Sequence, residues 1–166
     1  PLTKLTLDAH LIVEHQKTHI KFFAEAGADI ITLHYKACRK ISETYLEETL
    51  RLIKSYGVKC GAVVNPDVPV ENIFPVFPLC DMVVLMSVFP GYGGQKFIPE
   101  VFEKIKTARA YAVSIGRADM DIEIDGGVTE ENAAEIRAAG ANVLVAGSAV
   151  FKSSDMAATV SRLKNN

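Results

Sequence analysis

The sequence predicts an α/β protein with parallel strands, and three of its features support that prediction. Short apolar segments alternate with amphipathic segments of helical period along the chain. The phrases AGADII (residues 26–31) and AGANVL (residues 139–144) repeat one pattern, in which a glycine ends a helix and an Asp or Asn precedes a strand. Glycine turns follow the last two strands, at residues 125–128 and 147–150. The sheet is therefore either open and doubly wound or closed into a (β/α)8 barrel.

The alternation divides the chain into about six strand and helix units. We expect strands at residues 5–13, 29–34, 59–64, 82–86, 121–125 and 142–146. We expect helices at residues 15–26, 42–56, 70–78, 98–115, 130–139 and 155–164, with a further short helix after the 147–150 turn. Because no linker or low-complexity segment divides the chain, it is predicted to be a single domain.

Composition excludes several classes of function. The net charge of −2 and the pI near 6.1 provide no basic surface for nucleic acid. The apolar runs are strand-sized, too short to span a bilayer, so we expect no membrane partner and a cytoplasmic location. Cys38, Cys60 and Cys80 are odd in number and form no C-x-x-C pair, which predicts buried free thiols. The sequence leaves open whether the protein is a homo-oligomer.

The glycine turns predict a phosphate site. In (β/α)8 enzymes, the loops after the seventh and eighth strands and the start of a short extra helix bind phosphate at the C-terminal face. Glycines let the backbone approach an anion, and the N–H groups of a helix start point at it. The predicted phosphate and substrate ligands are Gly126, Gly127, Gly147 and Ser148, together with Gly91, Tyr92, Gly93 and Gly94 from the loop after the fourth strand.

The number of units points to an incomplete barrel. A (β/α)8 domain has eight units in about 200 to 250 residues, whereas this chain has 166 residues and six units. The turns typical of units seven and eight are already the last two, so we expect the deficit to lie at the front. The prediction is one domain over residues 1–166, a partial (β/α)8 barrel without its N-terminal units.

Six strings, in this order and spacing, resemble the ribulose-phosphate 3-epimerase family from its third strand onward. They are LDAHLIVE, AGADIITLH, NPDVPVE, MSVFPGYGGQKFIPEV, EIDGGV and AGANVLVAGSAVF. The resemblance implies a metal-dependent (β/α)8 isomerase of the pentose phosphate pathway. Such an enzyme interconverts D-ribulose 5-phosphate and D-xylulose 5-phosphate by inverting C3.

Inverting a carbon beside a ketone requires a proton to leave one face and another to arrive at the opposite face. Asp125 ends its strand next to the phosphate turn and is well placed as one acid/base group. The resemblance makes Asp125 both this group and a metal ligand, and it makes His10 a metal ligand near the substrate. It implies one divalent cation, for which His and carboxylate ligands admit zinc, iron, manganese or cobalt. Met86 keeps one methionine of the metal pocket, and Ile12 stands where another commonly lies. The resemblance also adds His10, Met86 and Asp125 to the predicted substrate ligands.

The chain also departs from the family pattern. The family's other two metal ligands, a His and an Asp two residues apart on its second strand, have no counterpart here, and that Asp is the second acid/base group. The substrate-contacting serine of the first strand is absent too. Glu123 shares a strand face with Asp125 but lies deeper, which predicts a buried ion pair near the barrel floor. His34 ends the next strand, and the resemblance gives it no ligand role.

Three functional hypotheses follow. The first is a sugar-phosphate 3-epimerase acting on ribulose 5-phosphate, with allulose 6-phosphate as the alternative substrate. The second is another phosphate-binding barrel, such as an orotidine-phosphate decarboxylase or a hexulose-phosphate synthase, but those have Asp-x-Lys where this chain has Asp8-Ala9-His10. The third is a barrel that binds sugar phosphates without catalysis.

Overall fold

A computed structural model describes residues 3–165 and shows one parallel sheet. Its six strands are hydrogen-bonded in chain order. They are β1 (Asp8–Leu11), β2 (Ile30–His34), β3 (Lys59–Val64), β4 (Met82–Met86), β5 (Asp121–Asp125) and β6 (Val143–Val145). The order confirms the predicted barrel-type arrangement of successive parallel strands, because a doubly wound sheet would place later strands on both sides of the first.

Helices connect successive strands and cover one face of the sheet. They are α1 (Lys17–Glu25), α2 (Tyr35–Arg39), α3 (Tyr45–Ser55), α4 (Val101–Ser114), α5 (Ala133–Ala139), α6 (Ser148–Phe151) and α7 (Met156–Asn165). A 3-10 helix occupies Val70–Leu79 between β3 and β4. None of the helices in residues 3–165 combines the length and the apolar character needed to cross a membrane.

Three departures from the predicted elements have a local cause, and the other predicted strands and long helices begin and end within three residues of their expected bounds. The helix expected at residues 70–78 is a 3-10 helix, because Pro75 and Pro78 lack the N–H groups that a regular α-helix needs. The strand expected at residues 5–13 is shorter, because β1 pairs only with the four residues Ile30–Leu33 of β2. Helix α2 was not predicted, since it begins directly after β2 without a turn signal.

Alternate strand residues point to two different environments. On the helix side, residues such as Ile31, Leu85 and Ile124 belong to the main core. The opposite face carries a smaller cluster, made of Ile30, Val63, Met82, Val84, Met86 and Val88. The sheet curls around this second face, because His10 on β1 lies 3.6 Å from Asp125 on β5 although three strands separate them in the sheet. The second face is therefore the interior of a partial barrel.

A repeated polar contact fixes how neighbouring strands begin. The Asp29 carboxylate accepts a hydrogen bond from Leu7 N–H, ahead of β1. Asp81 accepts in the same way from Cys60 N–H on β3, and Asn142 from Ile122 N–H on β5. Each acceptor precedes the next strand and satisfies a donor at the start of its neighbour, which supports the repeat predicted from AGADII and AGANVL. Cys60 is buried as a free thiol, and so are the other two cysteines, as predicted.

The close packing of the barrel interior can be tested at Gly61 on β3. A Cβ there would lie 2.6 Å from the Met82 carbonyl oxygen and 3.0 Å from Cγ2 of Thr32. Because the first neighbour is backbone, Gly61→Ala must displace β4. We expect the free energy of unfolding, measured in urea, to fall by about 1–3 kcal/mol. Gly93→Ala is the matched control, since its Cβ would meet nothing within 4 Å. Equal stability of the two variants would contradict this packing.

Candidate active site

Two histidines and a carboxylate meet inside the curled sheet, at the C-terminal ends of their strands. His10 Nδ1 lies 3.6 Å from Oδ2 of Asp125, and His10 Nε2 lies 2.7 Å from Nε2 of His34. The side chains of His10 and Asp125 are 18% and 29% exposed, so both are reachable from solvent. His34 is buried. The structure thus brings the two predicted metal ligands together and adds His34, which was given no role.

Burial controls the charge of this cluster. It lowers the pKa of His10 to about 4, and the adjacent His34 contributes to that decrease. It also lowers the pKa of His34, although hydrogen bonding to Asn65 opposes the shift. Burial raises the pKa of Asp125, with the charge of a protonated His34 acting in the opposite direction. Both rings are therefore neutral at pH 7, and the short distance between His10 and Asp125 is not an ion pair there.

The donor set fits two positions of a metal coordination sphere. Two atoms about 2.1 Å from one tetrahedral metal lie about 3.4 Å apart, close to the 3.6 Å between His10 Nδ1 and Asp125 Oδ2. A neutral imidazole nitrogen and a carboxylate oxygen also suit a divalent cation. Within residues 3–165, no group of three or more His, Cys, Asp or Glu side chains is arranged to hold a metal ion. The described residues therefore offer two ligands, and a full coordination sphere needs others.

The turn after β5 requires glycine at two positions. Gly126 and Gly127 have φ values of 120° and 65°, in the left-handed region. A Cβ on Gly126 would lie 2.3 Å from a methyl group of Val88, and one on Gly127 would lie 2.3 Å from the backbone nitrogen of Phe97. The turn therefore packs directly against the segment that follows β4.

Hydrogen bonds from a residue that follows β4 and from one that precedes α5 hold this turn in place. Ser87, which is buried, donates its hydroxyl to the Gly126 carbonyl at 2.5 Å, and its backbone N–H bonds to the Asp125 carbonyl at 2.9 Å. Asn132, just before α5, donates to the Gly127 carbonyl at 3.0 Å. Asp125 is thus fixed at the point where the chain enters the turn.

The glycine-rich segment after β4 is braced by its own glutamine. The Gln95 amide donates to the carbonyls of Phe89 and Tyr92, at 2.7 and 2.9 Å. These bonds close residues 89–95 into a compact loop. Tyr92, at its tip, is 75% exposed, so the aromatic ring stands at the rim of the site. Sequence patterns did not single out Gln95, although it directly follows the predicted glycines.

One cavity of about 340 Å³ collects the predicted substrate ligands. All of them except His10 line it, namely Met86, Gly91, Tyr92, Gly93, Gly94, Asp125, Gly126, Gly127, Gly147 and Ser148. Ile12 lines it as well. The cavity lies at the C-terminal ends of β4, β5 and β6, which agrees with the position of active sites in (β/α)8 proteins. His10 lies beside this cavity, next to the lining residue Asp125.

A slightly larger cavity of about 400 Å³ lies outside the barrel interior, against β6 and α7. Leu144, Val160 and Leu163 line it together with Arg137 and Lys164. Among the described residues, its lining includes no carboxylate, histidine or cysteine that could move a proton or bind a metal ion. Of these two cavities, the 340 Å³ one contains Asp125 and the glycine turns, and it is therefore the candidate active site.

The expected ion pair at Glu123 is wrong. Glu123 is 4% exposed, as its position on the inner face predicts, but its hydrogen-bonding neighbour is the carboxyl group of Asp8. Burial raises the pKa of Glu123 to about 8, and the charges of Asp8 and Asp125 raise it too. The floor of the site is thus a pair of acids that binds a proton, because the curl of the sheet brings β1 against β5.

The fold and the candidate site together define a class of protein. A curled parallel sheet with a glycine-lined cavity at its C-terminal edge is typical of (β/α)8-barrel enzymes that bind phosphorylated substrates. Solved structures agree on the fold. The chain superposes on KGPDC from Streptococcus mutans with a TM-score of 0.72, covering 98% of this chain and 71% of that one at 12% identity. For a 3-hexulose-6-phosphate synthase from Salmonella typhimurium, the TM-score is 0.66 over 92% and 68% of the two chains at 17% identity.

Sequence comparison then identifies the family. Residues 1–151 match the ribulose-phosphate 3 epimerase family. Ribulose-phosphate 3-epimerase of Bacillus subtilis is 47% identical over all 166 residues, which span 74% of that protein. The Synechocystis enzyme of the same name is 43% identical over 166 residues and 70% of its length. The chain belongs to the ribulose-phosphate 3-epimerase family.

The raised pKa of Glu123 has a consequence for stability. Its pKa of about 8 in the folded protein exceeds its ordinary value of 4.5, so the folded protein keeps a proton that the unfolded chain releases. The free energy of unfolding of the metal-free protein should therefore fall as the pH rises toward 8, by up to about 1.4 kcal/mol per pH unit. The lowered pKa values of His10 and His34 act oppositely only below their ordinary value of 6.5.

Urea unfolding between pH 6.5 and 8 isolates the contribution of Glu123. We expect Glu123→Gln to flatten the decline, because the amide cannot release a proton. The exposed Glu131 provides the control, and Glu131→Gln should keep the wild-type slope. An unchanged slope in Glu123→Gln would show that Glu123 is ionised in the folded protein at the lower pH.

Proposed function

We propose that the protein is a ribulose-phosphate 3-epimerase, interconverting D-ribulose 5-phosphate and D-xylulose 5-phosphate by proton transfer at C3. The observation that carries this proposal is the position of Asp125, which borders the glycine turns and lies 3.6 Å from His10. The names of the relatives support the same reaction, since the B. subtilis and Synechocystis proteins are ribulose-phosphate 3-epimerases. A cytoplasmic location belongs to this proposal and is supported by three buried cysteines that form no disulfide. A place in the pentose phosphate pathway follows from the proposed reaction.

Asp125 is the proposed acid/base group for one face of C3. Its carboxylate is partly exposed to the cavity, while Ser87 and the turn fix the backbone on either side. Burial raises its pKa, which brings a carboxylate closer to the strength needed to remove a proton from carbon. Proton return to the opposite face needs a second acid/base group, and the resemblance places that group outside the strands described here.

The phosphate of the substrate is proposed to bind at the glycine turns. Gly126 and Gly127 on one side and Gly147 and Ser148 on the other line the same cavity. The N–H groups of Val150 and Phe151 in α6 donate to the Gly147 carbonyl, whereas those of Ser148 and Ala149 have no acceptor among the described residues. These two N–H groups at the helix start are therefore available to an anion. A phosphate bound there would anchor the sugar with its carbon chain extending toward Asp125. The loop at residues 89–95 would cover it from the opposite side.

His10 and Asp125 would hold the divalent cation that the family resemblance implies. A cation at this position would supply positive charge beside the oxygens of the reacting carbons, where negative charge develops during proton removal. Its identity among zinc, iron, manganese and cobalt stays open, because these ligands accept all four.

One observation limits the alternative functions. The solved hexulose-phosphate synthase shares the fold, but its 17% identity supports no shared activity. His10 occupies the place where those enzymes have a lysine, and its contact with Asp125 favours metal-assisted proton transfer over lysine chemistry. Allulose 6-phosphate remains the alternative substrate, because the glycine turns contact the phosphate end, which both sugars share.

Asp125→Asn tests the acid/base role. The amide has nearly the same size but cannot accept a proton from carbon, so we expect exchange of the C3 hydrogen with deuterated water to fall by about 10²- to 10⁴-fold. Binding of inorganic phosphate should change little, because the glycine turns are intact. NMR follows the exchange, and calorimetry follows the binding. Exchange at the wild-type rate in this variant would refute the role of Asp125.

His10→Ala tests the metal site. Loss of one imidazole ligand should lower the metal content of the purified complete protein, measured by elemental analysis, and chelators should inactivate the wild type. His19→Ala is the matched control, because His19 is an exposed histidine on α1. Equal metal content in both variants would count against His10 as a ligand.

A further inference from the structure

We propose that His34 and Asn65 are positioning residues that set the tautomer of His10 and keep its Nδ1 lone pair directed at Asp125. The role rests on the proposed metal-dependent epimerase function. The physical basis is a hydrogen-bonded row, in which Asn65 Oδ1 lies 3.0 Å from His34 Nδ1, and His34 Nε2 lies 2.7 Å from His10 Nε2. The row starts after β3 and ends at β1.

The hydrogen bonds of this row run in one direction, because the Oδ1 atom of Asn65 can only accept a hydrogen bond. The Asn65 carbonyl oxygen Oδ1 has no proton, so His34 Nδ1 must carry one and donate it. A second proton on Nε2 would make His34 a cation, and the ring is 4% exposed. Charging a buried ring is unfavourable without a paired anion. His34 is therefore neutral, and its Nε2 is an acceptor.

The proton between the two rings then belongs to His10. At 2.7 Å, only one of the two Nε2 atoms can carry a hydrogen, and His34 already has its proton on Nδ1. His10 consequently donates from Nε2, which leaves its Nδ1 unprotonated. This lone pair lies 3.6 Å from the Asp125 carboxylate. Two electron-rich atoms face each other across a gap suited to a cation.

The opposite tautomer of His10 would remove the cation position between its Nδ1 atom and Asp125. If Nδ1 of His10 carried the hydrogen, the ring could donate it to Asp125 and would present no lone pair to a metal ion. Histidine ligands of metals generally donate their other N–H to an oriented partner, and loss of that partner weakens metal binding about 10- to 100-fold. His34 is that partner here, and Asn65 determines which proton His34 offers.

Lys104 holds Asn65 in place from outside the barrel. Its ammonium group on α4 donates to the backbone carbonyls of Asn65, Pro66 and Val68, the first at 3.2 Å and the last at 2.6 Å. These three bonds fix the loop that follows β3. The orientation of His10 therefore depends on a loop that forms no part of the substrate cavity.

Nitrogen NMR of the metal-free complete protein tests the tautomer directly. The wild type should show His10 protonated at Nε2 and unprotonated at Nδ1. Asn65→Gln keeps a neutral carbonyl acceptor for His34 and should preserve that signature, whereas Asn65→Leu removes it and should produce a mixture of tautomers. His34→Phe, which removes the acceptor for His10, should do the same and serves if Asn65→Leu does not fold. A wild-type protein with Nδ1 of His10 protonated would overturn the proposal.

Metal affinity supplies the second measurement. Titration with Co²⁺ should give about 10- to 100-fold weaker binding in Asn65→Leu and His34→Phe, and near-wild-type binding in Asn65→Gln. Asn72→Leu is the matched control, since Asn72 is exposed on the 3-10 helix, and it should bind as the wild type does. Equal affinity in Asn65→Leu and Asn72→Leu would overturn the proposal.

These readouts separate this inference from the proposed function. Turnover does not enter either measurement, so a protein without epimerase activity that shows the expected tautomer and affinities would refute only the proposed function. A protein with epimerase activity whose His10 tautomer is unaffected by Asn65→Leu would refute only this inference.

Discussion

The curl of the parallel sheet is the constraint on which the rest of the structure depends. A flat sheet would separate β1 from β5 by three strands, whereas the curled one places His10 3.6 Å from Asp125. The interior of the curled sheet is closely packed. At Gly61 on β3, a Cβ would collide with atoms of β2 and β4. The same curvature brings Asp8 against Glu123 one layer below. The polar core of the barrel therefore follows from the geometry of the strands.

The hydrogen bonds and burial of each polar group inside the barrel determine its protonation and orientation. Burial keeps the rings of His10 and His34 neutral, and the hydrogen bonds that connect Asn65, His34 and His10 align them, while Glu123 retains a proton beneath them. Asp125 is fixed by Ser87 where β5 meets the glycine turn. A reactive carboxylate is thus held between a layer that binds protons and a turn with the properties of an anion site. This arrangement suits proton transfer at a carbon of a substrate that is anchored by its phosphate, at a distance from that carbon.

The sequence predicted the parts of the fold that local patterns encode. The bounds of β3, β4 and β5 agree with prediction, because each of these strands pairs with a neighbour on both sides. The edge strand β1 is shorter than its apolar pattern, since hydrogen bonding to β2 limits it. In the site, the glycine turns were predictable because they are local. The contacts of His34 with His10 and Asn65 span 24 and 31 residues, and the carboxyl partner of Glu123 depends on the curl, so no local pattern reveals them.

The most direct test of this account is a crystal structure of the complete protein grown with Mn²⁺, with anomalous scattering used to locate the ion. The account predicts one strong peak inside the curled sheet, within about 2.0–2.3 Å of both His10 Nδ1 and an Asp125 carboxylate oxygen. A cation bound elsewhere, or one that contacts neither side chain, would contradict the claim that the curvature of the sheet assembles the active site.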